Sequence, residues 1–394
     1  MRIARLLKKN IALICVVALI ASCDGGDALK TETPTEAGTS PTLEQVSVPL
    51  QTGDAGSRKI LLDQIQSLKS AIRPLDKISY KREYYRHHAW EWSYRARAAL
   101  LAYRIYGDIE QVRAVLEGAL YYAGLPHWKT WKRSTDSWFS EITTPGLISI
   151  PIADLLLLSR QDELVHVLVI EHYEILLNAI VRGVSGFDSS YRRIGDTGYY
   201  ITPLNESKVE ALNHMAIYTV ALARIYELTG DETYRTRVGQ IARYWLASTT
   251  RHANGALSWP YAPIPDNMHS VAEPFWKGSV TIELPISAHR IGASITDEQL
   301  LQVQKTLILN IFENGQWGGR TYLVNGQREK KEIKPSQVKQ MPVLAMWHLL
   351  DCVAPPVDNL DLELFKTNQR FYEKTSRALY GAVFGLFARS GHCD

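Results

Sequence analysis

A helical stretch that ends in Gly-Asp and is followed at once by another helical stretch occurs twice in this chain. That unit limits what the chain can fold into. Residues 89–106 end in Arg104-Ile105-Tyr106-Gly107-Asp108 and give way to a helical pattern over 110–123. Residues 206–228 carry Val209, Leu212, Ala216, Val220 and Ala223, pass through Arg224-Ile225-Tyr226, and end in Thr229-Gly230-Asp231. Spacings of three and four mark one buried helical face. Gly230 suits a left-handed C-terminal cap and Asp231 the N-cap of the next helix. That next helix carries Tyr234, Val238, Ile241, Ala242 and Trp245. Two helices joined by so short a turn run antiparallel, as an αα-hairpin. The pattern predicts further pairs at 151–158 with 163–181, at 280–290 with 297–312 around Gly292, and at 342–352 with 360–379 through Pro355-Pro356. With a helix near 58–72 the total is about five or six hairpins.

Repeated hairpins build either an open solenoid or a closed α/α toroid. No fixed period of ~34 residues appears, as a tetratricopeptide array would require. Aromatic-rich loops interrupt the units at 124–150, 186–203, 254–279 and 315–335. An open solenoid has little need of them, whereas a toroid gathers them at one end around a central cavity. The expected fold is therefore all-α: an α/α toroid, an incomplete or full barrel over residues 58–394, with aromatic loops at one end. Gly318 to Gln327 suits a small hairpin, and no tract is strand-rich enough for a separate β domain.

The N-terminus predicts where the chain works. Arg2, Arg5, Lys8 and Lys9 precede an apolar run from Ile11 to Ile20, which leads through Ala21-Ser22 into Cys23. A charged start, a short apolar core and small residues before the cut form a secretory signal. The run is about half the ~20 residues a spanning helix needs. Ala21-Ser22-Cys23 resembles the bacterial lipobox, which implies removal of residues 1–22 and lipidation of Cys23. More than one acyl chain then gives stable anchoring. By resemblance to enterobacterial lipoproteins, Asp24 favours the inner membrane, on the periplasmic side. Residues 23–57 are rich in Gly, Thr, Ser, Pro and Asp and read as a flexible tether. The formal charge of +3 becomes −1 once the signal leaves. A near-neutral chain gives no electrostatic case for nucleic acid. Cys352 and Cys393 remain outside the reducing cytosol, where a disulfide between them can persist. No Cys/His spacing resembles a metal site, and no cofactor motif appears.

Ten Trp and twenty Tyr outnumber eight Phe. Trp and Tyr offer a flat apolar face and a hydrogen-bonding edge, which suits stacking on sugar rings. Trp128, Trp131, Trp138, Tyr191, Tyr199, Tyr200, Trp259, Tyr261, Trp276, Trp317 and Tyr322 fall in the expected loops. The most specific tract is 205–292. It holds Asn213-His214, Thr229-Gly230-Asp231-Glu232-Thr233-Tyr234, Asn254-Gly255-Ala256-Leu257-Ser258-Trp259-Pro260-Tyr261, Glu273-Pro274-Phe275-Trp276-Lys277-Gly278 and His289-Arg290-Ile291-Gly292. This order resembles bacterial α/α-toroid proteins of polysaccharide metabolism, namely polysaccharide lyases and the helical domain of glucuronyl C5-epimerases. The resemblance implies action on a uronic-acid-containing polysaccharide, by a lyase or epimerase ahead of a hydrolase. The chain departs from those proteins where a Ser-His pair would follow Glu273; His269-Ser270 precedes it instead. That leaves a non-catalytic glycan-binding or scaffold lipoprotein as the alternative.

β-Elimination at a uronate needs the carboxylate neutralised, a base for the C5 proton and an acid for the leaving oxygen. Asn213 suits the first task. His214, Tyr261 and Glu273 are the candidates for the others, although Asn213 and His214 point about 100° apart on a helix. Trp259, Trp276, Tyr191 and Arg192 are candidate sugar contacts. His88 and Trp90, in the cluster Arg86-His87-His88-Ala89-Trp90-Glu91-Trp92, are candidates as well. Hydrolysis would instead need two carboxylates flanking the bond, drawn from Glu141, Asp188, Asp196, Glu206, Glu210 and Glu273.

Overall fold

The computed structural model describes residues 82–124, 142–202, 205–265, 271–311, 323–327, 341–352 and 376–389. Outside these lie Cys23 and the expected tether, the helix expected near 58–72, Trp128, Trp131, Trp138, Glu141, His269-Ser270, Trp317, Tyr322 and Cys393. The side chains of His88 and Glu206 lie outside them too.

The described chain is predominantly helical, as expected of an all-α protein. Helices α1 (Arg82–Tyr106) and α2 (Ile109–Gly124) meet at Gly107, whose φ is 72° and whose N–H donates to Tyr103 O at 2.7 Å. Helices α6 (Leu212–Thr229) and α7 (Glu232–Ser248) meet at Gly230, with φ 69° and a 2.7 Å bond to Tyr226 O. Asp231 then caps α7, its carboxylate accepting from Thr233 N at 2.9 Å. Only a residue without Cβ takes the left-handed corner at no steric cost.

Between these hairpins lie α3 (Thr143–Ser159), α4 (Glu163–Val169), a 3₁₀ turn (Ile170–His172) and α5 (Tyr173–Ser185). α3 is buried on all sides except at Asp154 and Leu157. It begins well before Pro151, where the sequence pattern placed its start, so 143–150 is helix and not loop. Burial all round outweighs the hydrogen bond lost at an interior proline. Gly146 sits where α3 and α6 nearly touch: a Cβ there would lie 2.8 Å from Ile217 Cγ2. The second expected helix, 163–181, is broken by the 3₁₀ turn.

The loop expected at 186–203 is a small antiparallel sheet of β1 (Tyr191–Ile194), β2 (Thr197–Thr202) and β3 (Asn205–Val209), in the order β1-β2-β3. β3 takes the first residues of the helix expected at 206–228. Val209 pairs with Ile201, and its spacing to Leu212 imitates a helical repeat over too short a window to tell.

Beyond α7 come the short strands β4 (Thr250–Arg251) and β5 (Leu257–Ser258), then α8 (Phe275–Thr281), α9 (Glu283–Arg290) and α10 (Asp297–Lys305). A π-helical turn (Thr306–Ile311), a 3₁₀ helix (Met341–Leu350) and α11 (Ser376–Arg389) complete the described elements. The expected 360–379 helix falls mostly outside the described residues. Cys352 is disulfide-bonded, and its partner sulfur lies outside the described residues.

α1 packs on α3, α3 on α6, and α6 on α8 and α9. α8 packs on the 3₁₀ helix Met341–Leu350, that helix on α11, and α11 on α1. α2 packs on α1 and α3, α5 on α3, and α7 on α6, while β2 lies on α7. Paired contacts give the helix directions. Arg97 meets Asp154 and Tyr103 meets Asp162, so α1 and α3 run parallel. Gly146 meets Ile217 and Asp154 meets Arg224, so α3 and α6 run parallel. Trp90 meets Arg377 and Tyr94 meets Tyr380, so α1 and α11 run parallel. The N-terminal ends of these four helices therefore lie at one end of the bundle.

Candidate functional site

Residues 259–261 and 271–273 pair side by side, with an antiparallel bridge between Pro260 and Ala272. Glu273 N donates to Trp259 O at 2.9 Å and Tyr261 N to Val271 O at 3.0 Å, while Val324 N donates to Glu273 O at 2.9 Å. This clasp turns the Glu273 side chain inward until it is wholly buried. Its Oε2 accepts from Trp259 Nε1 at 2.6 Å and from Thr281 Oγ1 at 2.7 Å. Its Oε1 is buried with no hydrogen-bond partner. Burial raises the carboxyl to about 8, against the two hydrogen bonds and the Lys277 charge. The group is therefore a neutral acid at pH 7, with both donors on one oxygen and its own proton placed on the other. Trp259 is also buried, beside Trp245 at 5.8 Å and Trp347 at 6.4 Å. It belongs to the core and offers no open face for a sugar.

Tyr261 lies nearer the surface. Its carbonyl accepts from Leu212 N at 2.9 Å, which fastens it to the first residue of α6. Lys277 Nζ sits 3.6 Å from the Tyr261 ring centroid and 5.2 Å from that of Trp276. Lys277 makes no ion pair among the described residues. The next two residues of α6 are Asn213 and His214. Asn213 is buried and its Oδ1 is unbonded. His214 Nδ1 lies 3.0 Å from Glu210 Oε2, and its side chain is 13% exposed. An ionised Glu210 accepts the Nδ1 proton, which leaves the lone pair on Nε2. Tyr261 is thus tied through its backbone to the start of α6, next to Asn213 and His214 in sequence, and it shares Lys277 with Trp276, while Glu273 lies buried.

A second cluster lies between α1 and α11. Trp90 stacks on Tyr94 at 5.9 Å, and the Arg377 guanidinium lies 4.6 Å from the Trp90 ring and 5.4 Å from the Tyr94 ring. Seven residues further along α1, about 10 Å deeper, Arg97 opens a buried ion network. Arg97 Nη2 pairs with Glu283 Oε2 at 2.7 Å, and its Nε faces Asp154 at 3.7 Å. Asp154 pairs with Arg224 at 2.6 Å, Arg224 with Glu227 at 3.1 Å, and Glu227 with Arg290 at 2.9 and 3.0 Å. Burial pulls the Arg97 guanidinium down, but Glu283, Tyr380 and Asp154 more than offset it. Burial and Arg224 bring Arg290 down to about 10 despite Glu227.

Two other candidates are engaged elsewhere. Tyr191 OH donates to Gln240 Oε1 at 2.6 Å, on α7, and Arg237 covers its ring at 4.9 Å. Arg192 Nη1 donates to the carbonyls of Ser189 and Tyr191. Among the acids considered for hydrolysis, Asp188 pairs with Arg237 and Asp196 with Arg243. Among the described residues no three His, Cys, Asp or Glu side chains gather to hold a metal ion. Lys277 and Arg377 are the cations that the sequence did not single out. Their one sequence signal is position: Lys277 follows Trp276 directly.

No protein-family model matches the chain, and no curated protein sequence matches it.

Proposed function

We propose that this chain is an α/α toroid held at a bacterial envelope membrane by lipid on Cys23, and that it acts on an acidic polysaccharide by β-elimination or C5 epimerisation. The series of helix contacts from α1 through α11 and back to α1 supports the ring. The parallel inner helices support a working end at their N-termini.

The observation that carries the activity is the junction of Tyr261 with the start of α6, beside an ammonium that has no counter-ion among the described residues. Lys277 and Asn213 neutralise the substrate carboxylate, which lowers the cost of a carbanion at C5. His214 Nε2, oriented by Glu210, removes the C5 proton. In elimination the C4–O bond breaks, the C4=C5 double bond forms, and the Tyr261 hydroxyl gives its proton to the departing oxygen. In epimerisation Tyr261 instead reprotonates C5 from the opposite face. Glu273, buried and bonded to Trp259 and Thr281, takes no direct part in this scheme.

The purified whole chain is incubated with a panel of acidic polysaccharides, with ultraviolet absorbance reporting unsaturated uronates. Parallel reactions in heavy water are read by NMR for exchange at C5. Turnover that H214A and Y261F each depress at least a hundredfold supports the proposal. Neither signal on any substrate overturns it. One observation favours a second reading, a non-catalytic glycan-binding lipoprotein: Glu273 Oε2 accepts from Trp259 Nε1 and both side chains are buried in the core. That reading expects binding without turnover, unchanged in H214A and Y261F.

A further inference from the structure

Two cations at the same end of the bundle have no counter-ion among the described residues and sit on aromatic rings. Lys277 rests on Tyr261 and Trp276. Arg377 rests on Trp90 and Tyr94. Neither makes a hydrogen bond or an ion pair among the described residues. Arg97, Arg224 and Arg290 behave differently: each is held by carboxylates in the ion network. Both free cations are partly exposed, whereas Arg97 is buried.

The placement of the two is informative. α8, which carries Lys277, packs on the 3₁₀ helix Met341–Leu350, and that helix packs on α11, which carries Arg377. Two helix spacings put the cations on the order of 15–20 Å apart. One small anion cannot reach both. Stacking holds each cation in place and leaves its donors directed away from the rings.

We infer that Arg377, on its Trp90–Tyr94 platform, is a second anion-recognition point, so that the ligand is a polyanionic chain bridging Lys277 and Arg377 and not a single charged sugar. The inference rests on the acidic-glycan reading of the Lys277 site and specifies its ligand: an oligosaccharide with acidic groups on more than one residue. Arg377 is a binding and register-setting residue, distant from the bond that reacts. The guanidinium recognises a carboxylate or a sulfate by the same forked geometry, and the two are told apart by test.

The test uses the purified whole chain and defined fragments, disaccharide and octasaccharide, of polyglucuronate and of a sulfated uronan. Affinities are measured by calorimetry at two salt concentrations. The inference expects the octasaccharide to bind at least tenfold more tightly than the disaccharide. R377Q is expected to lose about fivefold to tenfold on the octasaccharide and less than twofold on the disaccharide. R377K, which keeps the charge and the fold, is expected to retain most of the affinity and to lose selectivity between carboxylate and sulfate. K277Q is expected to weaken both lengths. If the octasaccharide binds wild type and R377Q equally while K277Q loses binding, the bridging inference fails and the proposed function stands. If no acidic fragment binds wild type, both fail.

Discussion

Replacing Glu273 by glutamine isolates one buried proton. In the folded chain the carboxyl titrates near 8, raised by burial. In the unfolded chain it titrates near its ordinary value of 4.5. Between these values the folded state holds a proton that the unfolded state has released. Stability contributed by this group is therefore full below about pH 4.5 and falls as pH rises through the window. Each pH unit costs about 1.4 kcal/mol, so the window spans on the order of 5 kcal/mol. Glutamine keeps the shape and the acceptor for Trp259 Nε1 and Thr281 Oγ1, and it does not ionise. Urea unfolding of wild type and E273Q, followed by tryptophan fluorescence at pH 5, 6, 7, 8 and 9, gives the difference directly. Near pH 5 the two should be about equally stable, since each leaves one polar group unbonded at the Oε1 position. The variant should then gain on wild type by about 1.4 kcal/mol per unit and level off above pH 8 to 9. A difference that stays constant from pH 5 to pH 9 would refute a neutral, buried Glu273.

Three further outcomes are expected. R97A leaves Glu283 buried without its partner and should cost about 3–5 kcal/mol, seen as a large drop in the urea midpoint. R97K should recover part of it. G230A forces a Cβ into the left-handed corner and should lower stability by about 1 kcal/mol, whereas G124A, at a helix end with φ outside that region and open space around it, should stay within about 0.5 kcal/mol. C23S should abolish incorporation of a palmitate analogue and release the chain from the membrane fraction; labelling that persists would refute the lipobox.

The helical hairpins were legible wherever a local signal fixed both ends. The Gly107 and Gly230 corners are set by backbone conformation and one short side chain, and both appear as expected. α3 was misplaced because its outline comes from burial on every side, a tertiary fact that a proline signal cannot override. β3 was missed because five residues cannot separate a period of 2 from one of 3.6. At the site, the sequence placed Trp259 and Trp276 in one class, yet one is core and the other partly exposed. Whether an aromatic ring faces a groove depends on residues far away, such as Trp347, and composition does not carry that. Lys277 and Arg377 were passed over because a lone cation is ordinary on a surface. Only the rings beneath them and the missing carboxylates set them apart.

The ion network has a consequence for how the chain comes apart. Hairpin repeats stacked in a line unfold from their ends, since each unit leans only on its neighbours. Here Arg97 and Glu283 are 186 residues apart in sequence and share one buried contact. Loss of α9 would leave Arg97 only the more distant Asp154, and loss of α1 would strand Glu283 as an uncompensated charge. Unfolding is therefore uphill at the step that reaches α1 or α9. The described helices should melt in a single transition, and a chain cut anywhere between α1 and α9 should yield two fragments that regain structure only together.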